Sequence, residues 1–179
     1  MLDWSVLHDP DELSALFYPT GLRPSGVPLT IVCGPPASGK SSYVKARSKP
    51  EDVVIDLDLI AGGRHLVPAA IRMRPTLARV SEFLKTRNDM LASLHTMKRK
   101  GVRAWFIVGA PDAGERENWA ADLGASAVVL VLVPMAVCFR RIVADPAREH
   151  TREHMAEAVA SWFSRYTPRA ADKVVASDA

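Results

Sequence analysis

Gly34-Pro35-Pro36-Ala37-Ser38-Gly39-Lys40-Ser41 fits the pattern G-x-x-x-x-G-K-[ST]. The apolar, β-rich run Leu29-Thr30-Ile31-Val32-Cys33 precedes it, and Ser42-Tyr43-Val44-Lys45-Ala46-Arg47, which can continue as a helix, follows. A glycine-rich loop between a strand and a helix has a physical use. Successive backbone N–H groups wrap the phosphates of a nucleotide, and the helix N-terminus adds the positive end of its dipole. The pattern assigns the cradle to Gly34 through Ser42. Within it Lys40 reaches the β- and γ-phosphates and the Ser41 hydroxyl holds Mg²⁺.

Outward from this loop the chain alternates strand and helix. Strands are expected over 29–33, 53–57, 103–108 and 127–133, with a short last one at Lys173-Val174-Val175. A long helix is expected from Thr76 to Lys100, closed by Gly101. Asp112 and Glu115 carry a capping signal for a helix ending near Gly124. Pro134 opens the next helix, and Met155, Val159, Trp162, Phe163 and Tyr166 recur at helical spacing in the last. Near-continuous apolar strands separated by helices predict an α/β fold. The expected architecture is a P-loop NTPase three-layer sandwich, a parallel sheet of about five strands with helices on both faces. Residues 1–28 read as an N-terminal extension and linker, with a helix starting at Asp9-Pro10 and a Pro/Gly-rich run from Pro19 to Pro28. Residues 29–179 read as the P-loop domain.

The chain has 179 residues, 48% hydrophobic and 24% charged, which suits one globular domain. A net charge of +3 makes a weak whole-molecule field, so any anionic partner must be argued from local clusters. Two cysteines, Cys33 and Cys138, fall in apolar segments and suggest a reducing compartment rather than a disulfide framework. The acidic start of the chain argues against a secretory leader, and the longest apolar run, 125–133, is too short to span a bilayer. A cytoplasmic protein without membrane contact is expected.

Other residues narrow the class. Motor-type ATPases end a strand in Asp-Glu, whereas the candidate strand here runs Trp105-Phe106-Ile107-Val108-Gly109 without an acid, and no N-K-x-D guanine-reading segment occurs. Acids stand instead at the end of the second strand, in Val53-Val54-Ile55-Asp56-Leu57-Asp58. Strand alternation is expected to turn Asp56 and Asp58 to one face at the sheet's C-terminal edge, where ligands bind in open α/β sheets. There a carboxylate can accept the proton of an attacking hydroxyl or organise a Mg²⁺ shell with Ser41.

Arg64, His65, Arg72 and Arg74 make the next segment basic, as a polyanion such as a DNA or RNA end would require. Arg87 falls inside the apolar stripe formed by Leu77, Val80, Phe83, Leu84, Met90, Leu91 and Leu94. A charge there must be paired, with Asp56 a candidate, or face a phosphate in the cleft. Asn88 lies at the stripe's edge. Arg140 and Arg141 follow the fourth strand and offer fixed positive charge to a nucleotide. Arg148 and Arg152 fit a lid hinged at Asp145-Pro146. His150 and His154 have the spacing of a metal pair but lack a third ligand, and read as solvated or lid residues. Trp105, Trp119, Trp162 and Phe163 read as packing residues.

The order of these segments resembles the kinase domain of phage-type polynucleotide kinases and related small phage P-loop kinases. The resemblance runs through GPPASGKSSYV, VVIDLDLI, WFIVGAPDAGERENWAADLG and VVLVLVPMAVCFRRI and covers roughly residues 29–167. It implies ATP and Mg²⁺ as cofactors and transfer of the γ-phosphoryl group to a nucleic-acid hydroxyl, either a 5′-hydroxyl end or a hydroxymethylated base in DNA. The aspartate that activates the acceptor matches Asp58, and less closely Asp56. The lid arginine matches Arg140 or Arg141, with Arg148 further along. The segment Leu59-Ile60-Ala61-Gly62-Gly63 departs from the family pattern in lacking an immediate basic follow-up. A nucleoside or other small-molecule kinase, and a non-catalytic ATP-dependent DNA-binding module, are the alternative readings.

Overall fold

The strand-forming runs pair as the alternation of strand and helix requires. In the computed structural model, which describes residues 16–62 and 77–176, five parallel strands form one sheet in the order β2-β3-β1-β4-β5. They are β1 (Leu29–Cys33), β2 (Val53–Asp56), β3 (Ala104–Val108), β4 (Ala127–Val131) and β5 (Lys173–Val175). The helices are α1 (Lys40–Lys45), α2 (Leu57–Ile60), α3 (Leu77–Ser93), α4 (Ala113–Leu123), α5 (Met135–Ala144) and α6 (Arg152–Arg165). Single 3₁₀ segments cover Leu94–Thr96 and Pro146–Thr151.

Register sets both faces of the sheet. Ile31 stands opposite Phe106, and Phe106 opposite Ile55, so these three share a face. That face is covered by Leu91 of α3, Trp119 and Leu123 of α4 and Trp162 of α6. Val32, Trp105, Ile107 and Val129 point the other way, against Val44 of α1. Val133, Cys138, Ile142 and Val159 join α5 to α6. Helices therefore cover both faces, as the apolar strands demand. No described helix is long and apolar enough to cross a membrane.

The caps of α4 follow the sequence signals. The Asp112 side chain accepts from the Glu115 amide, and Gly124 closes the helix in the left-handed conformation. The expected helix from Thr76 to Lys100 is instead shorter, because the chain that precedes β1 packs on its end. The Gly26 amide donates to the Leu94 carbonyl at 2.8 Å, and a Cβ on Gly26 would sit 2.3 Å from the Met97 carbonyl oxygen. The Leu94 carbonyl is thus shared between a distant segment and the 3₁₀ turn that ends the helix. Gly101, with φ +82, belongs to the turn before β3 and does not cap α3.

Arg116 of α4 is fully buried. Its Nε donates to Asp172 at 2.6 Å, Nη1 to the Ala110 and Pro111 carbonyls, and Nη2 to the Thr167 carbonyl. It fastens the loop after β3 and the segment leading to β5 onto one guanidinium. Asp172→Asn removes the carboxylate that neutralises this buried charge, so a loss of about 3–5 kcal/mol is expected in denaturant melts.

Candidate functional site

The glycine-rich loop closes over the C-terminal edge of β1. Gly34 has φ +147, and a Cβ there would lie 2.4 Å from the Val131 carbonyl oxygen, so only glycine fits between β1 and β4. Gly39 adopts φ +100 as it caps α1. Lys40 folds back on its own loop, its Nζ donating to the Gly34 and Pro35 carbonyls at 2.9 and 2.8 Å. Burial pushes the Lys40 ammonium down from 10.5 to about 8, against the opposing pull of Asp56 and Asp58.

Asp56 is the last residue of β2 and caps α2, its Oδ1 accepting from the Asp58 amide at 3.0 Å. Its Oδ2 accepts from the Ser41 hydroxyl, also at 3.0 Å. Burial, and then the neighbouring Asp58 charge, raise the Asp56 carboxyl above its ordinary value, while its two hydrogen bonds oppose the shift. Asp58 is exposed in the first turn of α2. Both acids line the same cavity as the loop, but not by strand alternation. The strand ends at Asp56, and a helical turn carries Asp58 to the cavity wall.

This cavity has a volume of about 890 Å³. Gly34, Pro36, Ala37, Gly39, Lys40, Ser41 and Ser42 form its loop end. Buried Pro35 supplies a carbonyl to Lys40, and the Ser38 side chain is fully buried beneath the loop. Of the adjacent arginines, Arg141 lines the cavity and donates to the Ala37 and Ser38 carbonyls at 3.2 and 2.8 Å. Arg140 points elsewhere on α5 and is exposed, so of the two it is Arg141 that reaches the cavity wall, the two side chains diverging by about 100° on a helix. Arg148 also lines the cavity, its Nε donating to Asp145 at 2.9 Å. Arg152 donates to the Val143 carbonyl, and His154 is exposed away from the cavity.

Arg87 and Asn88 are corrections. Arg87 is buried, but its Nη2 donates to the Leu16 and Phe17 carbonyls at 2.7 and 2.9 Å, and Asn88 donates to the Leu16 carbonyl. Neither lines the cavity or meets Asp56. The charge in the apolar stripe is satisfied by the backbone of the N-terminal segment, which packs Tyr18 on Trp119 at 4.4 Å. Burial lowers the Arg87 guanidinium to about 10, which leaves it charged at neutral pH. Arg87→Met is expected to cost about 1–3 kcal/mol in thermal or denaturant melts by stranding these carbonyls, without altering ligand binding in the cavity. Arg64, His65, Arg72 and Arg74 lie outside the described residues.

Sequence reading missed Leu59, Gly109, Met155, Ala158, Trp162 and Arg165, all on the cavity wall. Met155, Ala158, Trp162 and Arg165 are spaced three, four and three apart, one face of a helix, and that spacing was the available signal. Trp162 packs in the core as expected, yet its indole also donates to the Gly109 carbonyl at 2.8 Å and borders the cavity.

No protein-family model matches the chain, and no curated protein matches it in sequence. Solved structures do match. TT1252 from Thermus thermophilus aligns with a TM-score of 0.52 at 16% identity, covering 86% of this chain and 90% of its own. A gluconokinase from Sinorhizobium meliloti aligns with a TM-score of 0.51 at 16% identity, covering 88% of this chain and 86% of its own. At these identities the likeness is one of fold: a five-stranded parallel α/β sheet with helices on both faces.

Proposed function

We propose that the protein is an ATP-dependent phosphotransferase that moves the γ-phosphoryl group of ATP to an acceptor hydroxyl beside Asp58. The observation that carries this reading is the Ser41–Asp56 hydrogen bond of 3.0 Å at the loop, with Asp58 on the wall of the same cavity. A serine hydroxyl and a carboxylate are the hard oxygen donors that suit Mg²⁺, which keeps most of its remaining ligands from water and phosphate. Ser41 and Asp56 would hold Mg²⁺, which when bound would supply charge neutralisation to the nucleotide's phosphates.

The chain's own groups supply the rest. The loop amides and Lys40 hold the phosphates, and Arg141 braces the loop through two of its carbonyls. Arg148 adds positive charge from the cavity wall. Asp58 takes the acceptor proton as the oxygen–phosphorus bond forms; the bond from phosphorus to the β,γ-bridging oxygen breaks, and ADP departs with that electron pair.

The acceptor we favour is a nucleic-acid hydroxyl, a 5′ end or a hydroxymethylated base. It rests on the resemblance to polynucleotide kinases and on the basic residues Arg64, His65, Arg72 and Arg74. A small-molecule alcohol is the second reading, favoured by a cavity of about 890 Å³ that can hold a nucleotide and a compact acceptor together. Incubation with γ-labelled ATP, Mg²⁺ and single-stranded DNA, duplex DNA, RNA or a panel of nucleosides and sugar acids separates them by which acceptor gains label. ATP-dependent DNA binding with no transfer to any acceptor would leave the binding-module reading in place of the enzyme.

A further inference from the structure

Past the glycine-rich loop the cavity continues along α6. Met155 to Arg165 on its lining face spans ten residues, about 15 Å at 1.5 Å per residue. Lys40 and Arg141 stand at the loop, and Arg148 lies in the 3₁₀ segment that leads into α6. Arg165 ends α6 near the start of α4, where its charge acts on Glu115. On the phosphotransferase reading an acceptor molecule must share this cavity with the nucleotide seated on the loop.

Gly109 points to what that molecule needs. Its φ lies outside the left-handed region, and a Cβ built there would meet only the Trp162 Cδ1 at 3.9 Å, an ordinary contact. Neither backbone nor packing demands glycine, so the missing side chain leaves room in the cavity. The residue is nonetheless held in place. Its carbonyl accepts from the Gly34 amide at 3.3 Å and from the Trp162 indole at 2.8 Å. The next residue, Ala110, is kept at φ +38, a conformation L-residues rarely adopt, with its carbonyl bound to Arg116.

We propose that Gly109 and the Met155-Ala158-Trp162-Arg165 face of α6 form the acceptor subsite, and that Arg165 selects an acceptor carrying a phosphate or carboxylate. This rests on the phosphotransferase reading and adds the acceptor's chemistry. The guanidinium presents a planar fork of donors that pairs with either anion in bidentate fashion. Leu59 and Met155 offer apolar surface to the body of the molecule, and Asp58 meets its hydroxyl. A nucleotide end with a 3′-phosphate and a small sugar acid both meet this description.

The test uses full-length protein loaded with Mg²⁺ and a non-hydrolysable ATP analogue, titrated by calorimetry. The probes are inorganic phosphate, thymidine 3′-monophosphate against thymidine, and gluconate against glucose. At least one anionic member is expected to bind tenfold or more tightly than its neutral counterpart. Arg165→Gln should remove that preference while the ATP analogue still binds, and Gly109→Val should weaken the anionic ligand at least tenfold. Equal binding of charged and neutral members, no uptake of any anion, or a preference that survives Arg165→Gln overturns the proposal. Failure of the ATP analogue to bind is a separate result and overturns the phosphotransferase reading itself. Preference for the nucleotide or for the sugar acid tells a nucleic-acid end from a small-molecule acceptor.

Discussion

Lys40→Ala is expected to reduce phosphoryl transfer by at least about 100-fold, the usual effect of removing a preorganised charge from the transferring group. The fold should survive, because the Lys40 hydrogen bonds run to carbonyls of its own loop, Gly34 and Pro35. Nucleotide affinity, read by calorimetry, should fall with it. The wild-type lysine also predicts a pH dependence. In the free protein burial holds its ammonium at about 8, below the ordinary 10.5. Phosphate favours the charged form, so above pH 8 nucleotide binding must take up a proton. Affinity is expected to be flat below pH 8 and to fall by up to about tenfold per unit above it, a slope that Lys40→Ala removes. The stability linkage has the opposite sense. Between pH 8 and 10.5 the unfolded chain holds more protons at this group than the folded one, so its contribution to stability rises with pH across that window. Wild-type transfer rates in Lys40→Ala would remove the loop from the chemistry.

Asp58→Asn should leave nucleotide binding within about threefold of wild type and slow transfer by about 10²–10⁴, the range expected for a general base. Asp56→Asn should act differently. Asp56 is buried and accepts from Ser41 and from the Asp58 amide, so its loss should weaken Mg²⁺-dependent nucleotide binding before it slows the chemical step. The comparison is a kcat change for Asp58 against a nucleotide KM change for Asp56. If Asp58→Asn transfers at the wild-type rate while Asp56→Asn does not, the base is Asp56.

The two acids were legible as a pair because they stand at the end of an apolar strand, yet their arrangement was not. Alternation placed them on one face of a strand, whereas the strand stops at Asp56 and a helical turn delivers Asp58. Arg87 was legible as an anomaly in an apolar stripe. Its partners were not, because backbone carbonyls carry no side-chain signature and come from the distant Leu16–Phe17 segment. Arg141 could be distinguished from Arg140 only by the orientation of α5 against the loop. Arg116 gave no signal at all. It stands in a polar stretch, Gly114-Glu115-Arg116-Glu117-Asn118, and is buried because the segment leading to β5 folds over it.

The glycine spacing, the lysine and serine after it, and the apolar runs on either side were enough to determine the loop, the parallel sheet and the loop end of the cavity. Those features depend on local backbone geometry and on side-chain alternation, both written within a few residues. The tertiary structure decided the α6 wall of the cavity, the partners of Arg87, Arg116 and Arg141, and the early stop of α3. These depend on which remote carbonyls and side chains meet a given charge or helix end, and burial assigns those partners only once the whole chain has packed.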